Sequence, residues 1–199
     1  MTIPTFPAIT PNANNWGSQP NGQSLRSELD GTIQTLALPG DIWTDTLTFT
    51  NKVDPQARIL RAFLASLRGE SGRFYLSPPG YVRAGTAPGS PIVKGAAQTG
   101  ATLVTDGWTA SQTGILLAGD YIEIGGELKM ITADANSNSS GESTLSFVPP
   151  IRVSPGDNTA VVVTSPKCKM KLKDNNQGKW PMQPGKIYAL SIAVEEALD

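Results

Sequence analysis

Four lysines at alternate positions, Lys167, Lys169, Lys171 and Lys173, are the residues whose type and spacing come nearest to chemistry. Alternate side chains of a β-strand share a face, so this run would set four cations in a row, able to hold phosphates or a nucleic acid backbone. No aromatic residues for base stacking are interleaved with them. Their expected role is a solvated strand face, or a contact with another subunit or partner matched by carboxylates. Cys168, Met170 and Leu172 fall on the opposite, apolar face, which directs the Cys168 thiol to the core. The run Asp134-Ala135-Asn136-Ser137-Asn138 opens like a calcium-binding loop, but that motif needs Gly at its sixth position and Glu at its twelfth. Ser139 and Leu145 stand there, so a long hairpin loop is expected instead. Glu195 and Glu196 suggest an acid pair, yet strand neighbours point to opposite faces, and both are expected to be surface charges. Trp108 and Tyr121 are the aromatic candidates for a sugar-binding face, with core packing the expected fate of each.

Histidine is absent and Cys168 is the single cysteine. Ser-His-Asp and Cys-His nucleophiles, His-containing zinc sites and intrachain disulfides are thereby removed. Residue types alone leave room for a carboxylate-based glycosidase, a lysine-based enzyme or a magnesium site. With no pair of inward carboxylates apparent, the chain is read as non-enzymatic, with no catalytic, metal or cofactor site expected. Its 16 basic and 17 acidic residues leave a net charge of -1, and so no global field to draw it to nucleic acid or anionic lipid. The longest apolar stretch centres on Ile115–Leu117 and is far too short to span a bilayer. Met1-Thr2-Ile3-Pro4 lacks the basic and apolar regions of a signal peptide. Neither membrane anchoring nor Sec export is expected.

The elements that must position these residues are mostly strands, because 20 glycines and 16 prolines over 199 residues suit many short strands joined by turns. Thr2 to about Asp30, with Pro4, Pro7, Pro11 and Pro20, reads as an extended arm poor in core residues. Thr32–Leu38 and Ile42–Thr50 read as a hairpin turning at Pro39-Gly40-Asp41. In the second run Trp43, Asp45, Leu47 and Phe49 share the face expected to meet the core. A helix follows, with Asp54 as N-cap, Pro55 in the first turn, Gly69 past the end, and a stripe of Ile59, Leu60, Phe63, Leu64 and Leu67. Arg73–Ser77 reads as a strand halted by Pro78-Pro79-Gly80. Ala84 to Gly100 has the composition of a linker. Beyond it, strands at Thr102–Thr105, Tyr121–Ile124, Glu127–Thr132, Ser143–Val148 and Thr159–Thr164 predict a small barrel or sandwich over about Gly85 to Ser165. Gly125-Gly126 is its hairpin turn, and Pro149-Pro150 and Pro166 are its stops. After a turn at Asp174–Gly178, Trp180 precedes a last strand from Lys186 to about Val194. The expected organisation is a discontinuous domain of residues 1–83 and 166–199 with an insertion at 84–165.

That order of elements resembles the distal tail proteins of long-tailed bacteriophages. The likeness is carried by Phe63-Leu64-Ala65-Ser66-Leu67-Arg68-Gly69 and Gly72-Arg73-Phe74-Tyr75-Leu76, which look like passages encoding the helix and following strand. It is carried too by Gly119-Asp120-Tyr121-Ile122-Glu123-Ile124-Gly125, by Phe147-Val148-Pro149-Pro150-Ile151-Arg152, and by Lys186-Ile187-Tyr188-Ala189-Leu190-Ser191 with Glu195-Glu196-Ala197-Leu198. It spans about residue 25 to the end and rests on pattern and order, with no single diagnostic motif. The resemblance implies a mainly β fold: a belt-type β-sandwich with one α-helix, plus an inserted barrel of oligonucleotide/oligosaccharide-binding type. It further implies a homohexameric ring in the virion, joining the tail tube to the tail-tip hub, with DNA only as passing cargo. A side fibre or host carbohydrate would be a peripheral partner, and synthesis would take place in the host cytoplasm. Under this reading the N-terminal arm is expected to drape over a neighbouring subunit. A carbohydrate-binding β module and another minor tail or tube protein are the competing expectations.

Overall fold

The computed structural model describes residues 2–177, 179, 181–184 and 187–199. Alternation along β4 (Ile42–Lys52) decides the first core: Trp43, Leu47 and Phe49 are buried, and Asp45 goes in with them. β4 pairs antiparallel with β14 (Ile187–Glu196), whose Leu190, Ile192 and Val194 face the same way. Next to β14 lies β12 (Cys168–Leu172), then β5 (Phe74–Leu76), while β1 (Gly17–Gln19) flanks the other side of β4. β13 (Met182–Gln183) also pairs with β14. Segments from both ends of the chain therefore build one sheet, as the returning strands predicted. Trp180 and Lys186, placed before and at the start of the last strand by the sequence, lie outside the described residues.

α1 (Asp54–Leu67) covers the buried face of this sheet with Leu60, Leu64 and Leu67. Two details differ from expectation. Val53, in extended conformation, is the N-cap, and Asp54 is the first helical residue, where its charge still meets the positive end of the helix and its Oδ1 accepts the Tyr188 hydroxyl at 3.2 Å. Gly69, at φ 75°, lies just past the end as expected, and the C-cap Arg68 before it is also left-handed at φ 54°. Ile59 is 54% exposed and Ala57 occupies the stripe instead.

The N-terminal segment is the larger correction. Residues 2–16 are irregular, as their prolines require, but they are laid across this chain's own core. Pro4 O accepts the amide of Tyr75 on the β5 edge at 2.9 Å, and Phe6 donates its own amide to Tyr75 O at 2.8 Å. The Phe6 ring sits 5.3 Å from Phe63, 5.8 Å from Phe74 and 6.2 Å from Phe49. Farther on, Asn12 and Ala13 bond Thr48 across the other side of the sheet, and Trp16 stacks on Trp43 at 5.6 Å. Two aromatic anchors make a core layer out of a segment that lacks periodicity.

A second sheet has the order β11 (Val161–Val162), β8 (Tyr121–Ile124), β9 (Glu127–Ile131), β10 (Ser143–Ile151), β7 (Gly100–Trp108), β6 (Gly89–Val93). Bonds of Val93 with Asn158 and Thr159, and an Ile92–Ala160 bridge, bring its edges together into a nearly closed six-stranded barrel. The fold is thus mainly β with one α-helix and a small barrel. Gly125 and Gly126, at φ 58° and 85°, make the two-residue β8–β9 turn that their identity predicted. Three barrel expectations change. β10 runs through Pro149 and Pro150 to Ile151, and β11 is only Val161–Val162. Residues 84–100 are no linker: β6 is a barrel strand, and a Cβ on Gly85 would lie 2.6 Å from Ile115 O. Glycine there permits contact, not flexibility.

Candidate functional site

Among the described residues, β2 (Gly22–Arg26) and β3 (Ile33–Ala37) pair only with each other, in the register Gly22–Ala37 to Arg26–Ile33. Runs 32–38 and 42–50 are therefore not the hairpin partners their sequence suggested; β3 folds back on β2 and β4 belongs to the main sheet. Local chemistry makes the connection. Ser27 Oγ accepts the Leu29 amide at 3.3 Å, Asp30 Oδ1 accepts the Thr32 amide and hydroxyl at 3.1 and 2.8 Å, and Gly31 sits at φ 72°. Hydrogen bonds to the carboxylate from the Ser27 side chain and from the Thr32 hydroxyl and amide pull the Asp30 pKa down to about 2. At the root, Asn21 donates its amide to Asp41 Oδ1 at 2.9 Å and its side chain to Pro39 O at 2.8 Å.

Every residue of β2 and β3 is exposed. Opposite residues of a pair share a face, so Gln23, Leu25, Gln34 and Leu36 lie on one side and Ser24, Arg26, Ile33 and Thr35 on the other. Leu25, Ile33 and Leu36 are 58–68% exposed, and Leu29 at the tip is 99% exposed. A lone two-stranded hairpin in water is marginal at best, and this one carries apolar side chains on both faces. Beneath its root, Pro20, Leu38 and Pro39 face Pro149, Pro150 and Ile151 of β10 across an open groove of about 710 Å³.

The lysine row is placed as its alternation predicted, with Cys168, Met170 and Leu172 buried behind it. Burial, above all other effects, pushes the Cys168 thiol well up, so it is not a reactive thiolate. Carboxylates of the same chain meet the cations: Lys171 pairs with Glu195 at 2.8 Å and Lys169 with Asp199 at 3.6 Å. Asp199 is also clamped by Arg73 at 2.7 Å, which, with its hydrogen bonds, holds the carboxyl down to about 2. Lys167 uses its backbone amide on Glu123, and Lys173 is exposed just past β12. Two of the four lysines thus bind this chain's own acids.

Glu196 contradicts its surface assignment. It is 5% exposed and bonds Arg152 and the Trp43 amide, joining the main sheet to the barrel. Lys129, only 1% exposed, binds Glu127 at 2.6 Å and Pro150 O at 2.7 Å; Glu127 in turn accepts the Arg152 and Val153 amides. Burial opposes ionisation of Glu127, but Lys129 and the two amides more than offset it and lower its pKa. Two cations and two anions therefore compensate one another at the junction. Beside them, Trp43 donates its indole to Leu128 O at 3.0 Å and packs edge-on against Tyr121 at 5.5 Å. Tyr121 is spent on this contact and Trp108 on the barrel core, where its indole bonds Thr105 Oγ1 at 2.8 Å. Neither offers a sugar-binding face.

The 134–138 run is built into the barrel wall. Asp134, Asn136 and Asn138 point side-chain oxygens at the amides of Ala118, Gly114, Ser140 and Glu142, and Ala135 pairs with Leu116. Among the described residues, no group of three or more Cys, Asp or Glu is arranged to hold a metal ion, and no helix is long and apolar enough to cross a membrane. The feature missed from sequence is the 22–37 hairpin; its signal was Asp30-Gly31, a good turn pair flanked by Ser27 and Thr32. A scan against protein-family models finds no match to the chain, and a search of curated proteins finds none either.

Proposed function

We propose that this chain is a structural subunit of a bacteriophage tail tip, six copies of which form a ring joining the tail tube to the tail-tip hub around a channel for DNA. One observation carries the reading beyond sequence likeness. Both cores are closed within the chain, yet the 22–37 hairpin projects bare on both faces, with Leu25, Leu29, Ile33 and Leu36 exposed. Side chains so placed gain nothing in an isolated molecule; covering each is worth about 1.5–3 kcal/mol. An assembling subunit supplies the cover, and a heterologous contact between identical copies closes into a ring when the rotation allows. In this reading the tube and hub proteins meet the two faces of the ring, and a side fibre or host carbohydrate meets the barrel. The lysine row, partly neutralised within the chain, contributes at the rim through Lys167 and Lys173.

The test is the mass of the purified protein by light scattering after size exclusion, with negative-stain imaging. The 21.0 kDa chain predicts about 126 kDa for six copies and a ring with a central hole seen end-on. A protein that stays monomeric at high concentration, and is not taken up into assembling tails, overturns the proposal. Sugar binding by that monomer would favour the carbohydrate-module reading, which the burial of Trp108 and the packing of Tyr121 against Trp43 disfavour.

A further inference from the structure

The hairpin and the groove at its root are both open apolar features, and they match. The groove is walled by Pro20, Leu38, Pro39, Pro149, Pro150 and Ile151 and holds about 710 Å³, room for several leucine-sized side chains. Leu29 stands 99% exposed at the far end of the hairpin, with Leu25 and Leu36 sharing one face behind it. A hairpin exposed throughout on both faces offers on the order of the 800 Å² per partner that a specific interface needs. The Asn21 bonds to Asp41 and Pro39 hold the root between the hairpin and its own groove.

We propose, resting on the ring reading above, that the hairpin tip of one copy seats in the root groove of the next, with Leu29 against Pro150. Tip and groove are different patches, so the contact is heterologous and each groove receives one tip. The geometry also sets the spacing. Five-residue strands span about 17 Å at about 3.3 Å per residue, and the turn brings the step between copies to about 20 Å. Six such steps close a hexagon about 35 Å between opposite sides. Taking off about 10 Å for the thickness of the hairpins leaves an opening of about 25 Å.

Mixing two singly substituted full-length proteins, Leu29→Cys and Pro150→Cys, under mild oxidation tests this directly. Buried Cys168 does not compete. A 29–150 heterodimer is expected in at least tenfold excess over either homodimer, and Ala37→Cys, on the groove's other wall, replaces Pro150→Cys if the latter unfolds. Independently, Leu29→Asp is expected to weaken assembly at least tenfold without moving the melting temperature of the dilute monomer. Rings that form normally while neither cysteine pair links overturn this contact and leave the ring reading intact. Absence of any assembly by the unsubstituted protein overturns both.

Discussion

Phe6→Ala separates a core segment from an arm reaching to a neighbour. Phe6 touches Phe49, Phe63 and Phe74, three rings contributed by β4, α1 and β5 of its own chain. A fully buried Phe→Ala change costs about 3–5 kcal/mol. Phe6 is only partly buried, which lowers the figure, but it takes part in aromatic pairs worth about 0.5–1.5 kcal/mol each beyond area. A loss of about 2–4 kcal/mol follows, and at 2–4 °C per kcal/mol for a chain of this size the melting temperature should fall by roughly 5–15 °C. The assay is thermal unfolding at a concentration low enough that light scattering shows monomer only. An unchanged melting temperature, accompanied by lost assembly, would refute the reasoning and restore the segment as an arm docked on another subunit.

Asp120→Ala should be more damaging, because Asp120 accepts the Ala84, Gly85 and Leu117 amides and the Tyr81 hydroxyl, all at 2.8–3.1 Å. With buried donors left unpaired at about 1–3 kcal/mol each, a cost of about 3–5 kcal/mol is expected in urea unfolding. Glu196→Gln should cost about 2–3 kcal/mol, below the 3–5 kcal/mol of a fully buried pair because Arg152 remains 24% exposed. A double-mutant cycle with Arg152→Met should show the two losses to be non-additive. Asp45 predicts the sign of a pH effect. Burial, against weaker help from the Asn15 and Thr46 amides, raises its pKa in the folded chain. The folded state then holds the extra proton, so this group's contribution falls as pH rises from about 4 through the raised value. Asp45→Asn should stabilise the protein at pH 7 and give no such gain at pH 3, as read by melting temperature across that range.

What was legible in the sequence was local. The Trp43–Phe49 face, the Lys167–Lys173 alternation and the Gly125-Gly126 turn each depend on residues a few positions apart, and each stands as read. The errors of pairing and burial have mostly non-local causes. Pro39-Gly40-Asp41 is good turn chemistry, but its partner is Asn21 across the root and not the strand before it. Gly22–Arg26 shows no apolar face because it has no core to face. Residues 84–100 looked flexible because glycine serves close packing as well as freedom; a Cβ on Gly89 would lie 2.4 Å from Gly107 O. Nor does anything near Glu196 foretell Arg152, whose position 44 residues away is set by the barrel.

The buried charges at the junction make physical sense beside the hairpin. Apolar contact among Trp16, Trp43, Tyr121, Leu128 and Met130 holds the barrel to the sheet, but apolar contact has no direction and tolerates rotation. Ion pairs do not: Arg152 must reach Glu196 and Asp41 O, while its own amide bonds Glu127. Such a quartet adds little net stability over a well-packed apolar junction, since desolvation cancels most of the attraction. Its effect is angular. Here it fixes β10, and with it the Pro149–Ile151 wall of the groove, relative to the hairpin root at 20–22 and 37–41. In the ring proposed above, an angular error at that joint would recur in every copy, so six small errors would open the circle or strain it shut. Under that proposal a polar weld between the two walls of the groove is what the subunit needs, because the angle between its hairpin and its groove would decide whether the sixth copy meets the first.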